Sequence, residues 1–382
     1  MEIIKYSSEM GSFFVFAIIN RNYIVILFYY MRISMFISIV FIIAFTFVYF
    51  FRENYFSELV ISFLPYIWAI LLLMVIYWLI MLWRKIFTKK VIVPAKVSCS
   101  PIMLILSWVL FFLFFSELEV FYNQNFFEDN LDNPIKILYS NIYKDNNNFS
   151  WIIASIESEN PDVVMFVEYS DEHENWLKDY FSEKYPYYDK TNWSKIYGWS
   201  VVMSKYPVTN FISDFEQEDS WKYGYFKIDK DDIPYYFYLL HTSSPVSSFD
   251  YQKRNQQFIS VKKDFYQLHE SSREKNSKIV MLGDFNVSPW SIFYKRFAQS
   301  FPLFNNITRS QKIFFSWNLA EMLKIHEDFS FLPQWFRDNV WYFPIFWSHI
   351  DHVFVSDSLK VSDFKKIHID WTDHDWMVFS IE

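Results

Sequence analysis

The feature that most limits how this chain can fold is a pair of long apolar runs near its start, residues 33–51 and 59–83, neither with a charged side chain inside it. A helix needs about 20 such residues to cross the hydrocarbon of a bilayer, where backbone polar groups find partners only within the helix itself. The first run has 19 residues and the second 25, interrupted only by Pro65. A third, starting at Ile102, extends past Glu117 and Glu119 toward Tyr122, which gives an expected span over 102–121. Residues 13–30 are apolar too, but Asn20, Arg21 and Asn22 lie at their middle. A charge at that depth is costly, so this segment is expected to be interfacial or cytoplasmic.

Basic residues orient the spans. The stretch 84–96 holds Arg84, Lys85, Lys89, Lys90 and Lys96 with no acid, and should be cytoplasmic. The short loop 52–58 has one base against two acids and should lie outside. Three spans then put the N-terminus inside and everything beyond about residue 122 outside. The expected product is a multi-pass protein of the cell membrane with an extracytoplasmic C-terminal domain. Its organisation reads as a membrane region (1–122), a polar linker (123–133) and one domain (134–382), a size that supports its own core. Cys99 is the only cysteine and lies outside that domain, so neither an intramolecular disulfide nor a cysteine nucleophile is available there.

In the domain, apolar periodicity predicts helices over 151–159, 172–183 and 249–271, and strands over 198–204, 221–228 and 233–241. Residues 279–286, IVMLGDFN, read as an apolar strand that delivers Asp284 and Asn286 to the loop at its end. Side chains two apart share a face, so both reach one site. A carboxylate and an amide there can hold an attacking water and polarise a phosphoryl oxygen, although the same pattern also caps helices. Other strands stop on polar groups in the same way. Residues 135–141 (IKILYSN) end on Asn141, 161–168 (PDVVMFVE) on Glu168, and 236–242 (YFYLLHT) bring up His241; IDHVFV at 350–355 and TDHD at 372–375 follow.

The GDFN, IDHVFVS and TDHD elements resemble the endonuclease/exonuclease/phosphatase superfamily, which includes DNase I-like nucleases, neutral sphingomyelinases and inositol polyphosphate phosphatases. The resemblance covers about residues 133–382. Within that group the chain looks most like bacterial membrane-anchored members with an exported catalytic domain. The implied fold is α/β, a four-layer α/β/β/α sandwich of the DNase I-like type preceded by transmembrane helices. By the same resemblance Glu168 binds the metal, Asn141 sits beside metal and scissile phosphate, and Asp284 orients or deprotonates the water. Asn286 would support the transition state. His241 and His374 would hydrogen-bond non-bridging phosphate oxygens, with Asp373 orienting His374 or touching the metal and Asp351 buttressing His374. Arg254 and Gln257 match an R-x-x-Q helix and are taken as structural. Thr372 stands where the family usually has serine, and the segment between Trp317 and Ser348 is long and aromatic, which bears on substrate contacts rather than chemistry.

Oxygen donors with two histidines favour Mg²⁺ or Mn²⁺ over zinc. His352 should face away from the site, His173, His269, His326 and His368 should be surface residues, and Asp375 a solvated turn residue. Residues 1–122 carry 9 basic and 6 acidic side chains, which leaves 26 and 37, about −11, for the rest. Phosphate contacts supply most affinity for long nucleic acid, so an acidic domain argues against a duplex-DNA nuclease.

The leading expectation is a membrane-anchored, divalent-metal-dependent phosphoesterase. The aromatic segments 331–336 and 341–347 suit a headgroup region, which suggests a lipid or other membrane-proximal phosphodiester, though core packing explains them equally. An exported DNase or RNase is the alternative and predicts a basic rim from Lys190, Lys195, Lys205 and Arg254. A non-catalytic membrane scaffold is the third reading. Nothing in the sequence indicates an oligomeric state.

Overall fold

Pro65 decides where the second apolar run becomes a helix. The computed structural model describes residues 32–87, 100–118, 127–191, 198–213, 223–269, 277–310, 314–326, 330–339, 347–369 and 371–382. Helix α1 (Arg32–Phe50) is followed by a short helix α2 (Tyr55–Ile61), then by α3 (Leu64–Phe87) and α4 (Ser100–Leu118). The expected single span from residue 59 is therefore two helices. Proline has no N–H and its ring clashes inside a helix, so it is tolerated only in a first turn, where α3 places it. Residues 13–30, 88–96 and 119–126 lie outside the described residues.

The chain divides into two compact units, Met1–Phe51 with Pro65–Leu118, and Arg52–Leu64 with Glu119–Glu382. In the first, α1 and the stretch Leu64–Trp83 are long and apolar enough to cross a membrane, and only 22% of each window is buried. A core helix of a soluble protein would hide most of its apolar surface; these leave Phe36, Ile43, Phe50 and Leu73 exposed. The apolar part of α4, Pro101–Glu117, is shorter. Aromatic side chains join the three helices: Phe45 and Tyr49 meet Phe114 edge-on, and Trp68 lies against Phe111.

The second unit is built on two six-stranded sheets. One has the order β13 (Val361–Ile367), β14 (Trp376–Ile381), β1 (Ile135–Asn141), β2 (Val163–Tyr169), β4 (Trp199–Ser204), β3 (Tyr187–Lys190). The other runs β5 (Val208–Ser213), β6 (Tyr223–Lys230), β7 (Ile233–His241), β8 (Lys278–Asp284), β12 (Asp351–Ser356), β9 (Phe304–Asn306). A two-stranded ribbon pairs β10 (Trp317–Asn318) with β11 (Trp347–Ser348).

Strand alternation explains the layering, because each strand sends one set of side chains between the sheets and the other toward helices. Ile137 and Tyr139, Val163 and Met165, Phe226, Phe237, Val280, Leu282, Val353 and Phe379 form the central core. Outside the first sheet pack α5 (Phe149–Glu159) and a broken helix made of α6 (Asp171–His173), a π-helical turn (Glu174–Lys178) and α7 (Asp179–Phe181). Outside the second pack α8 (Ser248–His269) and α9 (Ile292–Gln299). The result is the expected four-layer α/β/β/α sandwich, and each predicted helix and strand falls within three residues of an observed one. The run 123–133 is not a free linker from Phe127 onward. Phe127 bridges to Val361 and packs on the core, and the N–H groups of Asp132 and Asn133 donate to the Glu382 carboxylate.

Two parallel pairs set the position of the site. Strands β1 and β2 are linked through α5, and β7 and β8 through α8, so within each pair both C-terminal ends lie together. Antiparallel β14 and β12 bring their N-terminal ends to the same edges.

Candidate active site

Asp284 is the hub. It ends β8 paired with His241 on one side and Asp351 on the other, so three functional side chains arrive in one row of a sheet. The row depends on Gly283, which has φ +145°; a Cβ there would stand 1.9 Å from the carbonyl oxygen of Leu240 on β7. Beyond Asp284 the chain turns through Asn286, a non-glycine residue at φ 49°. That turn is held by its own polar groups: Asn286 N donates to Asp284 Oδ1 at 2.8 Å, and Asn286 Nδ2 to the Thr242 carbonyl at 3.0 Å.

The first sheet supplies the facing groups. Asn141 Nδ2 lies 3.2 Å from Asp284 Oδ2, 2.9 Å from Glu168 Oε1 and 3.5 Å from His374 Nε2. Its Oδ1 accepts the N–H of Tyr143, which fixes which way the amide faces. His241 Nε2 is 3.5 Å from Glu168 Oε1 and 3.9 Å from Asp284 Oδ2; His374 Nε2 is 3.7 Å from Asp284 Oδ2. Both imidazoles thus aim Nε2 at one small volume bounded by Asp284, Glu168 and Asn141. Glu168 sits at φ 56°, an uncommon conformation for a residue with a Cβ, and interrupts the β2–β4 register there. Strained backbone held by surrounding structure is a recurrent feature of functional sites.

Behind His374 is a relay. Its Nδ1 is 2.8 Å from Asp351 Oδ2, and Asp351 Oδ1 accepts the Tyr139 hydroxyl at 3.0 Å. Tyr139 is two residues before Asn141 on β1, so the same period-2 argument that pairs Asp284 with Asn286 was available for it, but sequence reasoning gave it no role. Asp373 is turned the other way: it accepts Trp317 Nε1 at 2.8 Å, and His326 Nε2 lies 3.6 Å from it. The Thr372 hydroxyl donates to the Asn141 carbonyl at 3.1 Å and accepts the His374 N–H at 3.2 Å, so threonine can do the tying a serine hydroxyl would do.

The electrostatics follow from burial and crowded carboxylates. Burial pushes the Asp284 carboxyl up to about 7; Asp351 and Glu168 add to this, and His374 and the Asn286 N–H oppose it. Burial disfavours the His374 imidazolium, yet Asp351, Asp284 and Asp373 together hold it well above the usual histidine range. Burial also opposes ionisation of Asp373, but His374, His326 and Trp317 keep its carboxyl below the usual value. The Tyr139 phenol is held protonated by burial and by Asp351.

The Asp284 and Glu168 carboxylates, both beside the volume that the two Nε2 atoms face, make a donor set that fits a hard divalent cation. Asp284, Asp351 and His374 place one ligand atom each within 4.8 Å of one another. Both Asp351 oxygens are already engaged by Tyr139 and His374, so it is the least available of the three. Glu168 keeps 21% of its side chain exposed and faces the opening, which makes it the better-placed oxygen ligand.

Elsewhere four sequence expectations change. His173 is fully buried and caps a helix, its Nδ1 accepting the Ser170 N–H at 3.1 Å. His326 is a site neighbour, stacked on Tyr143 at 4.2 Å. Asp375 is buried and paired with Lys366 at 2.6 Å and His368 at 2.8 Å. Arg254 is buried against Glu58, Lys205 pairs with Asp162, and Lys190 with Glu174, so none of these three is a loose basic rim. His352 does turn away, its Nε2 donating to the Val287 carbonyl at 2.8 Å and its Nδ1 accepting from Asn306 Nδ2 at 3.2 Å. Lys195, residues 341–346 and the His269 side chain lie outside the described residues.

Solved structures similar to this chain include Caenorhabditis elegans TDP2 (14% identity, TM-score 0.47, covering 65% of this chain and 97% of that one). The human Nocturnin catalytic domain (14%, 0.46, 66% and 96%) and SmcL (18%, 0.46, 65% and 99%) are similar to a like degree. Among curated proteins, none matches the chain. The sequence pattern of the Endonuclease/Exonuclease/phosphatase family matches residues 138–374, from the β1 strand that carries Asn141 to His374 itself. That match spans more than half of the chain and both ends of the site just described, and the chain belongs to the Endonuclease/Exonuclease/phosphatase family.

Proposed function

We propose that the protein is a divalent-metal-dependent phosphoesterase, anchored in the cell membrane with its catalytic domain on the extracytoplasmic side, that hydrolyses a phosphodiester close to the bilayer by in-line attack of water. One observation carries this reading. The Asp284 carboxylate is aimed by the Asn286 N–H into the volume that Asn141 Nδ2, His241 Nε2 and His374 Nε2 all face. A phosphate there would meet two imidazoles and an amide on its non-bridging oxygens, with a carboxylate on the side from which water would come.

In this reading Asp284 holds the water and takes its proton, a task suited to a carboxyl already held near 7. His374, kept cationic by Asp351, neutralises charge building on the phosphoryl oxygens, and Asp351 with Tyr139 fixes the ring. His241 would donate a hydrogen bond to the same oxygens from the second sheet. Glu168 would hold Mg²⁺ or Mn²⁺, with Asp373 at the edge of that set; Asn141, expected from the sequence beside the metal, turns Oδ1 to the Tyr143 N–H and Nδ2 to the site, so it would serve the phosphate rather than the cation. When bound, the cation supplies Lewis-acid polarisation of the phosphoryl oxygen and offsets the excess negative charge of the site.

The membrane-proximal substrate is supported by two features. Phe331 and Trp335, the latter on α10 (Gln334–Asn339), are 77% and 68% exposed, not core, as an aromatic contact with headgroups requires. Lys190, Lys205 and Arg254 are each committed to an acid, which weakens the nuclease alternative. The scaffold reading would leave the convergence of Asp284 with its three donors without a use.

The test is metal-dependent hydrolysis by the full chain and by Asp284→Ala, over sphingomyelin, phosphatidylinositol phosphates, plasmid DNA, RNA and bis-p-nitrophenyl phosphate. Lipid cleavage that Asp284→Ala abolishes is the expected result. Cleavage of nucleic acid alone would establish the exported nuclease instead, and unchanged activity in Asp284→Ala would overturn the assignment of the site.

A further inference from the structure

Residues Arg52–Leu64 lie in sequence between two apolar helices, yet they belong to the compact unit of the sandwich. Their helix α2 is capped by Asn54, whose side chain accepts the Phe56 N–H. It buries Glu58 completely: Glu58 and Arg254 are each 1% exposed, with Oε1 and Nη2 3.1 Å apart. Three further contacts hold the segment. The Tyr251 hydroxyl donates to the Glu53 carbonyl at 2.6 Å, Arg296 pairs with the Glu53 carboxylate, and the Ser348 hydroxyl donates to the Ser62 carbonyl at 2.9 Å.

Arg254 connects this segment to the site. While Nη2 holds Glu58, Nη1 donates to the Asn286 carbonyl at 2.9 Å, and Asn286 is the residue whose N–H aims Asp284. A buried guanidinium needs a buried anion; stripped of one, it must draw in water or move. A neighbour on α8, Gln257, holds the other side of the opening by accepting the Ser243 N–H at 2.7 Å. The R-x-x-Q pair thus braces both loops, and the anion that completes it comes from outside the contiguous domain sequence.

We propose that the segment 52–64 is an integral part of the catalytic domain and that Glu58, acting through Arg254, is a positioning residue for the Asn286 turn, a role that rests on the phosphoesterase reading above. A corollary concerns topology. The segment and the sandwich must then share one side of the membrane, so an even number of crossings separates Leu64 from residue 127; if α3 crosses, a second crossing must return the chain, and α4 is the apolar helix placed to make it.

The experiment uses the full chain in detergent or native membranes. Docking is read without activity: in a Cys99→Ser background, Glu53→Cys and Arg296→Cys are bridged by a short bismaleimide, and the intramolecular product is scored after cleavage between the two sites. Positioning is read from Glu58→Ala and Glu58→Gln. Glu58→Ala is expected to lower kcat per folded molecule about tenfold or more with KM within twofold. Glu58→Gln, which keeps an acceptor for Nη2, should recover part of that loss. A merely structural role would lower the melting temperature and the yield while leaving kcat per folded molecule unchanged, and that outcome overturns the positioning. Absence of the cross-link overturns the docking. If the unaltered chain hydrolyses nothing, the phosphoesterase reading and the positioning fall together, and the cross-link alone decides the docking.

Discussion

Gly283→Ala is the substitution whose cost can be worked most directly from the structure. The added Cβ would meet three backbone atoms of Leu240, its O at 1.9 Å, its C at 2.7 Å and its N at 2.8 Å, and none of these can rotate away as a side chain could. Relief requires β7 and β8 to part at the point where His241 and Asp284 are paired. Overpacking of this kind costs about 1–3 kcal/mol, and a φ of +145° forced on a residue with a Cβ costs about 1–3 kcal/mol more. For a domain of this size each kcal/mol moves the midpoint by roughly 2–4 °C, so a fall of about 10 °C is expected. Thermal unfolding followed by circular dichroism, with and without Mg²⁺, measures it. Because the strain lies one residue from Asp284, hydrolysis by the molecules still folded should also fall, by roughly a hundredfold. A variant that melts within 2 °C of the parent and keeps its kcat would refute the claim that this glycine sets the spacing of the site.

Three other outcomes are expected. Asp351→Asn keeps the shape of a fully buried side chain but leaves His374 without the anion on its Nδ1, and kcat should fall roughly 10²- to 10⁴-fold with little change in KM, measured at constant metal concentration. Glu168→Gln should weaken Mg²⁺ or Mn²⁺ binding about tenfold or more, seen as loss of the metal-induced rise in melting temperature, a readout that needs no substrate. Burial lowers the His173 imidazole to about 4, below its unfolded value near 6.5, so the unfolded chain binds the extra proton first. Its contribution is intact above about pH 6.5 and is lost as pH falls toward 4; in His173→Gln the melting temperature should depend less steeply on pH across that window, and an unchanged slope would remove His173 as a cause.

Much of the fold was legible because its signals are local. Strands such as 135–141 and 279–284 alternate or run apolar to a polar stop, and those stops are the site: β7–β8 pairing puts His241 beside Asp284, and Asn141 closes β1 in the facing sheet. Pro65 was visible as an interruption, but hydropathy averages over it, whereas the helix cannot; the apolar character of 59–63 serves a turn and the end of α2. His173 and Asp375 were misread for a related reason. The Ser170 partner of His173 is only three residues away, but the ring also packs against Phe149 and Tyr169, and Asp375 is held by Lys366 and His368, contacts that hydropathy does not register.

The parts of the site that escaped the sequence are those made by distant residues with ordinary chemistry. Trp317 and His326 grip Asp373 from a segment with no motif, and the resemblance had assigned Asp373 to His374 or the metal rather than to them. Glu58 is the extreme case, 196 residues from Arg254 and inside what hydropathy takes for membrane protein. Its pairing separates two jobs that the family match runs together. The matched residues 138–374 contain every group proposed to touch the phosphate. The anion that keeps Arg254 in place enters from the segment before α3, so a domain cut from the chain at its family boundary would retain each catalytic side chain and lose a support beneath one of them. Weak hydrolysis from such a fragment would therefore say less about the site than about the missing carboxylate, and supplying Glu58 within the full chain is the condition under which the chemistry of Asp284 can be judged.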